Sequence, residues 1–426
     1  MLQKKNILVF PCGSEIALEL HRALVYSKHF NLIGANSVDD HGHFVYENYI
    51  GGLPYITDET FISSIREIVI KNSIEAIYPA MDLAITILKR NEDLLGCKVI
   101  SSPLKTVEIC LSKSKTYSLL KDHILTPSQY KYDKIDRFPI FMKPDVGYGS
   151  RGCVKINNEQ ELATQYNKQN DYLFCEYLAG DEYTVDCFTD RNRKLVCCLP
   201  RMRKRIQNGI SVATIPVEES KISEFQEIIN KINKQIVFRG AWFAQFKRNN
   251  KGELCLLEIA SRYGGSSSLF RAAGVNFAQL SLFDAFEIDV EVIKNNYHIE
   301  MDRALDNRYK IDITYNEVFV DFDDCLLIDS NKVNTKLISY LYQCVNSGIK
   351  ISLLTRHKGH LKDKLEQLRI LGLFDRIIHI ANKEKKSKYI DNINSIFIDD
   401  SFAERKDVSS ACGIPVFSLD MIECLV

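Results

Sequence analysis

The sequence predicts a multidomain protein of mixed α/β and α+β class, and three observations predict it. Short apolar runs alternate with amphipathic segments from Asn6 to about Pro103, longer strand-like runs broken by glycines follow, and a fresh alternation starts at Glu317. Alternating strands and helices imply a parallel sheet covered by helices, whereas longer strands joined by glycine turns imply antiparallel pairing. At 426 residues the chain has room for two to four compact units. The expected divisions are 1–105, 106–300, a polar linker over 301–316, and 317–426.

In the first stretch, Ile7–Phe10 reads as a strand, Pro11–Ser14 as a turn, and a helix starts at Glu15. Phe61, Ile65, Ile68 and Val69 share one face of a second helix, and Ala76–Tyr78 follows as a strand. The turn after the first strand has one glycine where a dinucleotide-binding fingerprint needs three, so a pyrophosphate could not come close to that backbone.

Composition narrows the function classes. Hydrophobic residues make up 46% and charged residues 26%, ordinary values for a soluble globular chain. Fifty-five basic side chains balance fifty-five acidic ones, so no global field recruits nucleic acid or an anionic membrane. The apolar run near the start, Ile7–Phe10, is too short for a signal-peptide core, and no stretch reaches membrane-span length. Thirteen scattered cysteines include no Cys-x-x-Cys pair and no zinc spacing, which suits buried free thiols in a reducing cytoplasm.

The middle stretch holds phosphate-directed chemistry. Lys143 ends an apolar strand and leads into a loop with Gly147, Gly149, Ser150 and Gly152, where several backbone N–H groups can converge on a phosphate. A plain hairpin loop explains that segment equally well. Glu176 and Glu182 flank Tyr177–Leu178 and could line a purine edge and a ribose; a solvated strand edge would look the same. Gln245 and Glu258 lie on two strands joined by a turn at Asn249–Gly252, so the hairpin brings them side by side. An amide oxygen beside a carboxylate suits Mg2+, and Arg262 could stabilise charge on a transferring phosphoryl group. Arg201, Arg203, Lys204 and Arg205 could clamp a carboxylate or phosphate of a substrate, or form a solvated basic loop.

Taken in order, these residues from about 107 to 275 resemble the ATP-grasp superfamily, in particular the carbamoyl-phosphate synthetase large subunit and related carboxylate–amine ligases. The resemblance starts with Lys113 in Leu111–Tyr117 and runs through Lys143–Pro144, Glu176, Glu182, Gln245 and Glu258. It implies that Lys113, Lys143 and the glycine loop contact ATP phosphates, that Glu176 and the Leu178 backbone hold adenine, and that Glu182 holds the ribose. It also implies that Gln245 and Glu258 bind Mg2+, that Arg262 faces acyl-phosphate chemistry, and that Arg201–Arg205 lies in a flexible loop beside the acceptor. Residues 1–105 would then be the Rossmann-like domain that precedes an ATP-grasp domain. Two positions depart from the pattern: Ala260 stands where many members have asparagine, and Ser112 where an acid often precedes the first lysine.

The last stretch places acids at strand ends. Val318–Val320 runs into Asp321, Asp323 and Asp324, and Ile396–Ile398 runs into Asp399 and Asp400. Helix N-caps at Asp324 or Ser401 would be the plain structural alternative. The order resembles the haloacid dehalogenase superfamily of phosphatases across 317–426. That resemblance implies Asp321 as nucleophile, Asp323 as general acid/base, Thr355 as phosphate-orienting residue and Lys386, or else Lys388, as the neutralising lysine. Asp400 would complete a Mg2+ site with Asp321 and Asp323, and the short gap before Thr355 leaves no room for a large cap.

The reading that follows is a cytoplasmic ATP- and Mg2+-dependent ligase joining a small-molecule carboxylate to an amine, with a tethered phosphatase. Bicarbonate as the acid is one alternative; an ATP-sensing module controlling the phosphatase is another. The expected partners are small molecules and, as an option, a second copy of the chain.

Overall fold

The computed structural model describes residues 4–147, 151–166, 171–304, 307–381 and 384–426. The chain forms two compact units: residues 1–268, 276–291 and 301–306 make the first, and 269–275, 292–300 and 307–426 the second.

The first unit opens with a five-stranded parallel sheet in the spatial order Asn48–Ile50, Phe30–Ala35, Lys5–Phe10, Ile74–Pro79, Lys98–Val99. The helix Glu15–Leu24 starts where Ser14 Oγ accepts from the Ala17 N–H at 3.1 Å, satisfying one of the orphan donors of a helix start. Phe61, Ile65 and Val69 of the next helix are buried together, with Ile68 packed against them. Their spacing of three to four residues is what turns one helical face to the sheet.

A four-stranded antiparallel sheet follows, ordered Gln129–Tyr130, Tyr172–Glu176, Ile140–Pro144, Val154–Ile156. The larger antiparallel sheet runs Leu254–Ala260, Gly240–Arg248, Glu182–Thr189, Leu195–Gln207, Ile210–Pro216, and is extended by Ala213 pairing with Asp302. Its buried face packs on the amphipathic helix Ile222–Gln235, with Phe225, Ile229 and Ile232 against Tyr183, Trp242 and Phe246. Phe238 stacks on Trp242 at 3.8 Å between ring centroids. Burying each such side chain contributes about 1.5–3 kcal/mol, so this layer is the rigid floor under the site.

One expectation fails here. The basic segment around Arg201–Arg205 is not a loop but the edge of a hairpin, Leu195–Gln207 with Ile210–Pro216. Asn208 and Gly209 both have positive φ, 50° and 77°, the geometry of a two-residue hairpin turn. Arg201 is paired on both sides, with Thr184 and with Pro216, which holds that part of the strand in the sheet.

The second unit is built on a parallel sheet ordered Arg376–His379, Lys350–Thr355, Glu317–Val320, Ser395–Ile398, Val416–Phe417. Every residue of the central strand Glu317–Val320 is buried. Between Asp321 and Thr355 lie only a small hairpin, Leu327–Asp329 with Lys332–Val333, and the helix Thr335–Asn346. The stretch 301–316, expected as a bare linker, carries the end of the strand Ile299–Arg303 and the strand Asn307–Ile311. All thirteen cysteines are free, and among the described residues no helix is long and apolar enough to cross a membrane.

Candidate active sites

In the first unit one cleft gathers Lys113, Lys143, Gly147, Arg151, Cys153, Glu176, Leu178, Glu182, Arg203, Gln245, Lys247 and Glu258. Five of these side chains are cations and three are carboxylates, so the cleft attracts a polyanion. Gly149 and Ser150 lie outside the described residues.

Lys143 sits in the middle of its small sheet, and its amino group is 2.5 Å from the Tyr117 hydroxyl and 3.3 Å from the Leu257 carbonyl. Burial holds its pKa below the usual lysine range. Lys113 begins the helix Lys113–Leu120, and its Nζ lies 4.0 Å from Glu258 Oε2. Ser112 caps that helix, accepting from Lys115 N at 3.3 Å while donating to Asp145 Oδ2 at 2.6 Å. Asp145 also accepts from Ser114 N at 2.6 Å, so it ties the start of the glycine loop to the helix that presents Lys113. The hydroxyl of Ser112 therefore meets a carboxylate supplied from Asp145. Asp145 is a residue that the sequence signals only as one acid among glycines.

Gln245 and Glu258 are direct cross-strand partners, as the hairpin predicts. Gln245 Oε1 accepts from Arg203 Nη1 at 3.0 Å, and Arg203 also bonds Glu182 and, at 2.6 Å, the Gly209 carbonyl. Burial pulls the Arg203 pKa down against the opposing pull of Glu182. Glu176 Oε1 accepts from Ser128 N at 2.9 Å. Gly152 has a φ of +73°, and a Cβ there would stand 3.0 Å from Pro144, so the loop needs glycine at that position.

The three arginines expected to act together go to three environments. Arg201 is 3% exposed and pairs with the equally buried Asp186 at 2.6 Å, which also accepts from Ser267 at 2.9 Å. Arg203 lines the cleft, and Arg205 lies at the surface beside Asp302 at 2.6 Å. Register shifts on either side of Arg205 break the simple alternation that would align them. Arg201→Leu should cost about 3–5 kcal/mol, because it strands the buried Asp186 carboxylate. Urea unfolding checks this, with the double variant Arg201→Leu/Asp186→Leu recovering most of the loss.

Arg262 makes two bonds to Asp82, at 2.7 and 3.1 Å, and its guanidinium lies over the Phe243 ring. It shares a smaller cavity with Lys113, Gly147 and Glu258. Asp82, at the start of the helix Asp82–Arg90, was not legible as a site residue because its partner is far away in sequence.

In the second unit, ligand oxygens of Asp321, Asp399 and Asp400 lie within 4.8 Å of one another. Lys386 Nζ is 2.7 Å from both Asp321 and Asp399. Burial raises the pKa of Asp321, the charge of Asp399 raises it further, and Lys386 opposes both. Burial likewise raises Asp399. Burial by itself would lower Lys386, but the two carboxylates more than reverse it. The cluster differs from the expected set of Asp321, Asp323 and Asp400. Asp323 Oδ1 instead meets His357 Nδ1 at 2.8 Å, and Asp399 takes the third place. The physical reason is local: Asp321 and Asp399 directly follow adjacent parallel strands, Glu317–Val320 and Ser395–Ile398.

Thr355 is fully buried, and its Oγ1 accepts from His357 N at 3.1 Å. Lys388 bonds Glu384 at 3.2 Å, and it is Lys386 that reaches the carboxylates. Arg405 donates to the carbonyls of Asp399 and Asp400, at 2.6 and 2.7 Å, and so fixes the turn that presents both acids. Of the two N-cap candidates, Ser401 stands at the N-cap position of the helix Phe402–Cys412 without a side-chain cap bond, and Asp324 has a φ of 55°.

Residues 168–316 match a family model described as ATP-grasp in the biosynthetic pathway with Ter operon. That stretch of the chain is similar to an ATP-grasp family. Over 209 residues it is 26% identical to a D-alanine–D-alanine ligase of Fusobacterium nucleatum, covering 47% of this chain and 72% of that one. Over 224 residues it is 26% identical to the vancomycin/teicoplanin A-type resistance protein VanA of Enterococcus faecium, covering 44% of this chain and 64% of that one. The chain thus spans about two thirds of the length of these two relatives, and about a third or less of the other curated relatives it matches. Among solved structures, the biotin carboxylase domain of Hydrogenobacter thermophilus 2-oxoglutarate carboxylase, in complex with MgADP, ADP and bicarbonate, superposes with a TM-score of 0.61. That likeness covers 71% of this chain and 75% of the other at 16% identity, and speaks for the fold alone.

Proposed function

We propose that the protein is an ATP- and Mg2+-dependent ligase that activates a carboxylate as an acyl phosphate for attack by an amine, and that its second unit is a Mg2+-dependent phosphohydrolase of the haloacid dehalogenase type. The single observation behind the ligase reading is the pair of buried lysines, Lys113 and Lys143, beside Glu258 in a cleft of five cations and three carboxylates. Buried cations without a matching number of acids are costly unless a polyanion completes them.

ATP fits this donor set. Lys113, Lys143 and the loop from Gly147 to Gly152 would hold the phosphates, Glu176 and the Leu178 backbone the adenine, and Glu182 the ribose. Glu258 and Gln245 would hold Mg2+, with Arg203 withdrawing from Gln245. When bound, Mg2+ offsets phosphate charge and keeps positions for water and phosphate oxygens. The acid oxygen attacks the terminal phosphorus and ADP leaves. The amine nitrogen then attacks the acyl carbon, phosphate leaves, and the amine loses a proton. Arg262, held by Asp82, would stand over the charge developing on the acyl group. The likeness to a D-alanine–D-alanine ligase supports this assignment of the acid and amine classes.

In the second unit Asp321 would attack the phosphorus of a phosphomonoester, the ester P–O bond would break, and the departing oxygen would take a proton from Asp323. Water would then release phosphate from Asp321. Thr355 would orient the phosphoryl group, Lys386 would neutralise it, and Asp321, Asp399 and Asp400 form the carboxylate set that suits Mg2+.

Incubation with ATP, Mg2+ and a panel of amino-acid pairs should release ADP above background for at least one pair, with amide product by mass spectrometry. Failure of every pair, with bicarbonate-dependent ADP release instead, would favour carboxylase-type chemistry.

A further inference from the structure

Between residues 350 and 388 the chain holds eleven lysines and arginines against four aspartates and glutamates, although the whole sequence is neutral. Lys350 and Arg376 begin their strands, at the far end of the sheet, whereas Arg356, Lys358 and Lys362 follow the carboxyl end of Lys350–Thr355, and Lys385, Lys386 and Lys388 follow that of Arg376–His379. In a parallel sheet those ends share the edge on which Asp321 and Asp399 stand.

Several of these cations are already engaged. Arg356 pairs with Glu404 at 2.5 Å, Lys385 with Asp407, Lys388 with Glu384, and Lys386 with the aspartates. Lys358, His360 and Lys362 are exposed and have no ion pair among the described residues. Their loop is anchored at its start beside the site. His357 bonds Asp323 through its ring and Thr355 through its N–H, and His379 Nε2 lies 2.7 Å from the His357 carbonyl. Gly359, with a φ of +116°, then turns the chain toward the helix Leu361–Gln367.

The anchor fixes which part of a substrate these cations meet. Asp323 is the group proposed to protonate the departing oxygen, so a loop tethered to Asp323 flanks the leaving group rather than the transferred phosphoryl group. We infer that the site selects phosphomonoesters whose leaving group carries a second negative charge, a carboxylate or phosphate, held by Lys358 and Lys362. This rests on the phosphohydrolase reading above. Two lysines, Lys358 on this loop and Lys362 in the first turn of the helix it enters, suit a single extra anionic group on a small molecule, because a polynucleotide backbone needs a longer basic track.

A matched pair of substrates tests it. The wild-type protein with Mg2+ should hydrolyse 3-phosphoglycerate with a higher kcat/KM than glycerol 3-phosphate, which has the same phosphoester and no carboxylate. In Lys358→Glu/Lys362→Glu that ratio should fall about fivefold or more, and added salt should lower it in the wild type. A ratio near one in the wild type, or one unchanged by the double variant, overturns the inference and leaves the phosphohydrolase reading standing. Faster turnover of a 5′-phosphorylated single-stranded oligonucleotide than of either small molecule overturns it as well. If the wild type hydrolyses none of the three, the phosphohydrolase reading itself fails, and the inference with it.

Discussion

Lys143→Ala is expected to lower ATP-dependent ADP release by about a hundredfold to a thousandfold, the loss seen when one preorganised charge-stabilising donor is removed. The fold should survive the change. The Tyr117 hydroxyl also bonds the Leu257 carbonyl, so both keep a partner when the amino group goes. Burial lowers the pKa of Lys143, which means the site holds its charge at a cost that a bound phosphate relieves. Lys143→Arg should not rescue activity, because the position is 4% exposed and a guanidinium is planar and larger. Steady-state ADP release and nucleotide titration, compared with a thermal melt, separate lost binding from lost folding. Phosphoester hydrolysis that persists in the variant, while the wild type makes no amide with any acid and amine, would instead favour an ATP-sensing role.

Asp321→Asn should reduce phosphoester hydrolysis by about a thousandfold or more, since the amide cannot serve as the nucleophile that the proposed mechanism requires. The same substitution has an expected stability effect of the opposite sense. Without Mg2+, Asp321 and Asp399 share Lys386, and burial together with Asp399 raises the Asp321 pKa above the usual carboxylate range. A raised carboxyl stabilises the fold fully below its unfolded pKa and loses that contribution as pH rises through the folded value. Asparagine imitates the protonated form, so the variant should melt higher than the wild type near neutral pH without Mg2+. The two should converge near pH 4, where the wild-type carboxyl is protonated in the fold. Added Mg2+ should reverse the order at neutral pH by stabilising the wild type more. Equal melting at every pH would show that Lys386 already balances the cluster.

The two sites differ in how much of them could be read without coordinates. Lys113, Lys143, Glu182, Gln245 and Glu258 were each ambiguous alone, yet their order along the chain pointed to one cleft, and the structure brings all five to it. Gln245 and Glu258 were the easiest pair, because a tight turn sets hairpin register and register sets which side chains face each other. The separate environments of Arg201, Arg203 and Arg205 are not legible in the sequence, because a run of like charges gives no sign of which face each side chain takes. Arg201 turned out to be buried against Asp186, fifteen residues earlier on the neighbouring strand. In the second unit the strand ends were legible, but the choice among neighbouring acids was not. Asp323, expected at the metal, bonds His357 instead, and Asp399 joins the carboxylate cluster.

What the sequence by itself determined was the alternation of strands and helices, the positions of the strand ends, and the types of side chain placed there. Those follow from local periodicity and turn chemistry, which act over a few residues. What only the tertiary structure decided was the partnership of groups far apart in the chain: Ser112 with Asp145, Arg262 with Asp82, Arg203 with Glu182 and Gln245, and Lys386 with Asp321 and Asp399. Each of these brings a charged group into a partly or fully buried site, where it is stable only with a partner at hydrogen-bonding distance. Which partner arrives is fixed by the packing of whole sheets and helices, and no pattern within either segment records it.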